Sequence, residues 1–373
     1  MKTAVTVARI FTGALFIFSG LIKAIDPRGL AYKMQEFFEV FAREGFFKSL
    51  MDALGNYALP FSIIMITLEV ILGFSLLLGW QKKITSLLLL LLMIFFTFLT
   101  AFVLFSGKIE ACGCFGDCIA ITPGQTFAKD ILLLFLIVLL IWKQKYIRPI
   151  NKPLILALYV TAALILTLWL QFYVLKNLPL IDCLPFKKGN NILELRKVPA
   201  NAVQDKYEYS FIYEKNGEKK EFTADALPDS TWTFNERNQK LVQKGKNNIP
   251  LINDFKLNTA VGTDSTEQVF TLNENYYLMF LQFPSAHTKA WIKDLRVLMT
   301  DTSRTKKIFL ITSQRNEAED FVRKNNFFFD NIFTADATAI KTAARSNPAL
   351  YLMKGPVVQD KWGWGNFVKA VQP

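Results

Sequence analysis

Five apolar runs in the first half constrain this chain most: Ala4 to Ala24, Pro60 to Trp80, Ile84 to Phe105, Thr126 to Trp142 and Pro153 to Val174. Each approaches the ~20 residues that carry a helix across roughly 30 Å of hydrocarbon. Backbone placed in lipid must satisfy its own hydrogen bonds, so the architecture expected is a polytopic α-helical bundle. The first run also has the look of a signal peptide. It lacks a clear small-residue cleavage site and further runs follow, so a retained helix is expected.

Charge sets the orientation. The net charge of +12 invites a nucleic-acid reading. However, Lys2, Arg9, Lys82, Lys83, Lys143, Lys145, Arg148 and Lys152 fall in or beside three short segments without acids, flanking the apolar runs. Such residues set topology, and the remaining excess is spread over a mixed-charge half. Nucleic acid is therefore excluded as a partner. The turns after Trp80 and Trp142 are expected in the cytoplasm, and the loops of mixed charge outside. An odd number of spans then places the N-terminus inside and the C-terminal half outside, in agreement with the charges.

The 373 residues are 52% hydrophobic, too apolar for a soluble protein and too polar for membrane throughout. A membrane half and a soluble half follow. Between the first two runs, Phe37, Phe38, Phe41, Phe46, Phe47, Leu50 and Met51 mix with charged residues, as in an amphipathic helix on the bundle or at the interface. Pro179, Pro185 and Gly189 mark a linker. Tyr207–Tyr213 and Lys219–Thr223 predict strands joined through Asn216-Gly217, a strong hairpin signal. From about Ile249, strands and helices alternate: strand Tyr276–Phe283, helix Thr288–Leu298, strand Lys307–Thr312, helix Glu317–Asn325 and a hairpin around Lys354-Gly355. The pattern implies an α/β sandwich. The expected units are 1–147 (four-helix membrane domain), 148–178 (fifth transmembrane helix), 179–248 (linker with β-hairpin) and 249–373 (α/β domain).

Cys112, Cys114 and Cys118 lie together in the loop after the third run, and Cys183 follows the fifth. On the expected topology all four face the non-cytoplasmic side. Thiol–disulfide exchange needs accessible thiols of lowered pKa with a resolving neighbour. A helical turn would bring Cys114 within disulfide range of Cys118. A Cys112–Cys114 bond would close a very tight ring. A structural staple involving Cys183 is the alternative, and four cysteines allow three full pairings. A metal site is less compatible with an oxidising compartment. Glu69 sits near the middle of the second span, where a carboxylate is costly and points to function. It is a candidate proton relay, with a structural pair to Arg9 as the alternative. Asp130 is a candidate for orienting a thiol, although acids at a helix N-terminus are favourable in any case. Trp362 and Trp364 dock a partner or cap the core.

Two resemblances cover most of the chain. Residues 8–147 resemble the DoxX/MauE membrane family through Arg9, Gly13, Ser19-Gly20, Lys23, Asp26-Pro27, Glu69, Gly73, Gly79 and Cys112-Gly113-Cys114-Phe115-Gly116. This resemblance implies a four-helix core similar to vitamin K epoxide reductase and a link to quinone-coupled thiol oxidation or envelope disulfide formation. Residues 249–370 resemble a thioredoxin-like domain of the peroxiredoxin and envelope thiol-reductase kind. Asn253-Asp254-Phe255-Lys256-Leu257-Asn258 is similar to its opening segment. Ser346-Asn347-Pro348-Ala349-Leu350 is similar to the loop whose proline, here Pro348, is cis. Where that family has Cys-x-x-Cys, this chain has Ser285-Ala286-His287-Thr288, so His287 marks a degenerate site without exchange chemistry. The implied protein sits in a bacterial inner membrane, takes a quinone as its cofactor and acts on envelope proteins. The alternative is a non-catalytic anchored scaffold, or a subunit of an envelope or secretion complex, with the α/β domain as a binding module.

Overall fold

A computed structural model describes residues 2–109, 111–119, 121–243, 245–282, 288–300 and 306–371. Helices α1 (Lys2–Ala24), α4 (Ala58–Leu78), α5 (Lys82–Ser106), α6 (Pro123–Trp142) and α7 (Pro153–Asn177) are long and apolar enough to cross a membrane. They match the five apolar runs, with α6 starting three residues before the predicted span. Thr122 and Gln125 form a reciprocal N-terminal cap on α6, with Pro123 in its first turn. Those groups are polar, so hydropathy alone cannot find them.

Small residues bring α1 and α4 together. A Cβ at Gly13 would fall 2.9 Å from the Gly73 carbonyl, and one at Gly73 would fall 2.9 Å from the Gly13 carbonyl. Helices in lipid associate through such close backbone packing. At one end of the bundle Arg9 donates to the carbonyls of Leu77 (2.8 Å) and Arg148 (3.1 Å), and Lys82 donates to those of Gln144 and Ile147. Cations there complement the exposed carbonyls of a helix C-terminus. The cysteine loop closes the opposite end.

The segment after α1 folds into α2 (Pro27–Arg43) and α3 (Lys48–Asn56). Asp26 caps α2 by accepting from the Gly29 amide. The apolar face of α2, Leu30, Met34, Phe37, Phe38 and Phe41, packs on Ile66, Leu99, Val103 and Cys112. No residue of α3 is fully buried, and Phe46 and Phe47 ahead of it are exposed.

After α7 and the short helix α8 (Ile192–Leu195), strands β1 (Lys206–Lys215), β2 (Glu218–Thr223) and β3 (Thr233–Gln243) form an antiparallel sheet in the order β2-β1-β3. The Asn216-Gly217 hairpin has the positive φ angles its turn requires (54° and 83°). Strand β3 is an addition to the expected hairpin. Its residues are exposed throughout, so it has no apolar face to alternate.

The α/β domain comprises α9 (Thr266–Phe270), β4 (Asn275–Phe280), α10 (Thr288–Thr300), β5 (Ile308–Thr312), α11 (Arg315–Asn325), β6 (Asn331–Thr334), α12 (Ala337–Ala343), β7 (Ala349–Lys354), β8 (Val357–Gly363) and α13 (Phe367–Val371). Its sheet runs β6-β5-β4-β7-β8, with β4, β5 and β6 parallel and β7 and β8 antiparallel. Strand β4 is buried on both faces: Tyr276, Leu278 and Phe280 meet Phe255, Phe270 and Tyr351, while Tyr277 and Met279 meet Trp291, Leu295 and Phe367. Covered faces explain why β4 and β5 appear as continuous apolar runs. The linker belongs to this unit. Phe186 and Ile192 enter its core, and Gly189 and Ile192 bond the Val358 and Pro356 carbonyls. Trp362 and Trp364 are partly buried against the second core layer.

Candidate functional site: a dithiol above two buried ion pairs

Glycine sets the geometry of the thiol loop. Gly113 (φ 73°) and Gly116 (φ 58°) take left-handed conformations, and the Gly116 amide bonds the Gly113 carbonyl. A left-handed residue between two cysteines turns both side chains to one side, and only glycine does this freely. The Cys112 and Cys114 sulfurs lie 3.3 Å apart, both unbonded, with Cys112 buried and Cys114 half-buried. Their shared hydrogen bond holds the Cys114 thiol below the ordinary range, with Lys129 and Lys23 adding to the effect against burial. The same hydrogen bond, together with burial, pushes Cys112 well above that range. One sulfur is therefore thiolate-prone, and its neighbour carries the proton.

Beneath Cys114 lie two ion pairs. Lys23 Nζ is 2.7 and 2.6 Å from the two Glu69 oxygens and 2.8 Å from Ser19 Oγ, and Ser19 Oγ donates to the Cys114 carbonyl (3.1 Å). Lys129 pairs with Asp130 at 2.8 Å, and Thr100 Oγ1 donates to the other Asp130 oxygen at 3.0 Å. Asp130 is wholly buried, and Lys23 and Glu69 are each 3% exposed. Cys114, Ser19, Lys23, Glu69, Lys129 and Asp130 line a common cavity of about 10 Å³, room for one water at most.

The remaining cysteines pair across the chain. The disulfide joins Cys118 to Cys183, in place of either pairing within the loop, and ties the thiol loop to the linker. Beside it, Arg345 donates to Asp26 (2.8 Å) and to Asp117 (2.6 Å), clamping the α/β domain onto the thiol loop. Tyr32 donates to Gln282 Oε1 at 3.0 Å, and the Gln282 amide bonds Asn347 Oδ1. The Asn347–Pro348 peptide is cis, and the residues just before it meet the bundle, Arg345 at Asp26 and Ser346 at the Lys176 carbonyl. His287 lies outside the described residues.

One pairing considered for Glu69 is corrected. Arg9 is not its partner: it caps α4 from the far end of α1, 14 residues or about 21 Å of helix away from Lys23. Lys23 stands in the last turn of α1 and is nevertheless buried, with α2 following directly after Asp26. Arg345 carries no sequence signal of its role, because its partners Asp26 and Asp117 come from distant segments.

Residues 1–143 match the family model for methylamine utilisation protein MauE. The matched segment contains the dithiol, both buried ion pairs and α1 through α6. Together with the five spans it makes this a membrane protein in contact with lipid. A second model, for a domain of unknown function (DUF8463), matches residues 207–244, the greater part of the three-stranded sheet. Neither the curated proteins nor the solved structures contain a match to the chain.

Proposed function

We propose that this is a bacterial inner-membrane thiol–disulfide redox protein of the cell envelope, with Cys112 and Cys114 as its working couple. One observation carries the reading: two sulfurs in contact, one held thiolate-prone, at the rim of a lipid-spanning bundle. In the forward step Cys114 Sγ bonds Cys112 Sγ, and the pair gives up two electrons and its protons. Glu69, held by Lys23 across the small cavity, takes the proton that leaves the thiols. A lipid-soluble quinone, when bound, accepts the two electrons and two protons. Val7, Ile10, Phe11, Ala14, Leu15 and Phe18 line a lipid-facing groove of about 540 Å³, and Leu15 alone is shared with the polar cavity. Phe18 meets the Phe115 ring at 6.0 Å. An apolar groove that shares one side chain with the polar cavity fits a quinone ring and tail.

The positive-inside rule supports a cytoplasmic basic end of the bundle, and with it a dithiol and an α/β domain on the periplasmic side. The β5-β4-β7-β8 order and the cis Pro348 support a thioredoxin-like fold for that domain. With Ser285-Ala286-His287-Thr288 in place of paired cysteines, it presents a substrate without exchanging electrons itself. The test is anaerobic incubation of the reduced protein in detergent with a short-chain quinone. One quinone reduced per protein, lost in Cys114→Ser, is expected. Thiols 112 and 114 that stay free under excess quinone overturn the reading. A second reading, an envelope scaffold or a subunit of a secretion-type complex, is favoured by the exposed β1–β3 sheet. A stoichiometric partner retained by Cys→Ser variants, with phenotype unchanged, would establish it.

A further inference from the structure

The bundle and the α/β domain enclose a cleft of about 500 Å³ that the redox reading leaves unused. Its walls include Tyr32, Lys33 and Glu36 of α2, Cys183 of the linker, and Lys341 and Arg345. A second recess, which both disulfide cysteines line, has about 20 Å³, too small for more than a water. Cys183 is thus the member of the disulfide that lines a ligand-sized space, while Cys118 is exposed to solvent.

The cleft carries charges of both signs without excess: Lys33, Lys341 and Arg345 against Glu36, Glu39 and Asp117. Most are already engaged, Lys33 with Glu36 and Arg345 with Asp26 and Asp117. Lys341 donates to the neutral Gln35 side chain at 3.0 Å and lies 5.5 Å from the centre of the Tyr32 ring, with no carboxylate paired to it among the described residues. Glu39 is exposed and stands four residues beyond Gln35, one turn or about 6 Å along α2. One cation and one anion at that spacing suit a ligand bearing both a carboxylate and an ammonium group, and they disfavour polyanions and polycations alike.

We propose that this cleft binds a cysteine-bearing amino acid or short peptide, whose thiolate attacks Cys183 Sγ. The new bond joins the ligand sulfur to Cys183, the Cys183–Cys118 bond breaks, and Cys118 leaves as a thiolate that takes a proton from solvent. A second ligand thiolate then attacks the ligand sulfur of the mixed disulfide, which releases reduced Cys183 and the ligand as its own disulfide. Two ligand thiols are oxidised and one protein disulfide is reduced. The inference rests on the redox reading, because it makes this disulfide the point where electrons enter, and no mere staple.

The test uses the full chain in detergent and follows alkylation of Cys118 and Cys183 by mass. Cysteine, glutathione and uncharged 2-mercaptoethanol are compared at equal thiolate concentration. The two zwitterionic thiols should open the bond about 10-fold faster, the effect of one charge-assisted contact, with rates that saturate. Lys341→Ala and Glu39→Ala should each reduce that advantage, Lys341→Arg should keep it, and all should leave the 2-mercaptoethanol rate unchanged. Equal, non-saturating rates for all three thiols, or a bond that resists them all, overturn the proposal. The readout uses neither quinone nor Cys112 and Cys114. An inert inner couple would therefore leave this site standing, and failure here would leave the inner couple untouched.

Discussion

Two charged clusters lie at one end of the bundle, and they are built differently. Lys23 and Glu69 pair one to one, with side chains 3% and 4% exposed. Arg345 stands between two acids, Asp26 and Asp117, whose side chains are 19% and 42% exposed. Inside the bundle an unmatched charge is costly, so each is cancelled and its remaining hydrogen-bonding positions are filled by groups such as Ser19. At the interface, water shares the surplus negative charge, and one guanidinium serves two acids. Burial pushes the Asp26 carboxyl above its usual range, with Arg345 opposing and Asp117 reinforcing. Burial alone would lower the Arg345 guanidinium, but Asp26 and Asp117 overcome it and hold the group above its ordinary value. The first cluster makes the bundle a closed electrostatic unit. The second makes the docking of the α/β domain responsive to solvent.

The contrast breaks most visibly at Lys23. Lys23→Met strands Glu69 as a buried carboxylate and should cost about 3–5 kcal/mol, seen as a lower melting temperature in detergent. The double variant Lys23→Met, Glu69→Leu should recover most of the loss. If single and double variants melt alike, charge balance is not what holds α1 to α4. Arg345→Ala should cost less, about 1–2 kcal/mol, because Asp117 is already partly hydrated. The loss should appear as faster proteolysis between Leu195 and Lys206, with bundle melting unchanged. Acidity separates the clusters further. A carboxyl with a raised folded pKa contributes stability below its unfolded value and loses it as pH rises through the folded one. Docking should therefore tighten as falling pH protonates Asp26, above the ordinary carboxylate range, and Asp26→Asn should remove that dependence.

The sequence revealed the two clusters to different depths. Apolar runs and basic turns sufficed for the five spans, because crossing hydrocarbon imposes length and composition directly on the chain. The α/β strands were legible for the same reason, burial on both faces leaving no polar positions. Strand β3 was not, since Glu236, Arg237, Asn238 and Gln239 serve exposed pairing with β1 and leave no pattern. Glu69 stood out as a charge in an apolar run, but its partner did not. Lys23 lies at the end of a span, where lysine ordinarily snorkels to the interface. Arg345 was invisible, because its role depends on two acids 228 and 319 residues away in the chain.

The smallest effect concerns the two thiols themselves, where the contrast between matched and shared charge recurs at the scale of one proton. A lowered thiol pKa means that the reactive thiolate persists to lower pH, so Cys114 should be alkylated by a small iodoacetamide before Cys112 as pH rises. Cys112→Ala removes the hydrogen bond and leaves Lys129 and Lys23 in place. The Cys114 labelling curve should then move to higher pH, part of the way to an ordinary thiol, while overall stability changes by about 1 kcal/mol or less. A curve that does not move would assign the lowering to the lysines. Thiolate stabilisation would then belong to the buried ion pairs, and Cys112 would serve only as the resolving sulfur. A curve that moves the whole way would make the lysines bystanders, their charge spent on Glu69 and Asp130. The intermediate outcome is expected because one-to-one pairing cancels most of each lysine's field at Cys114, and a hydrogen bond at 3.3 Å is not cancelled by anything.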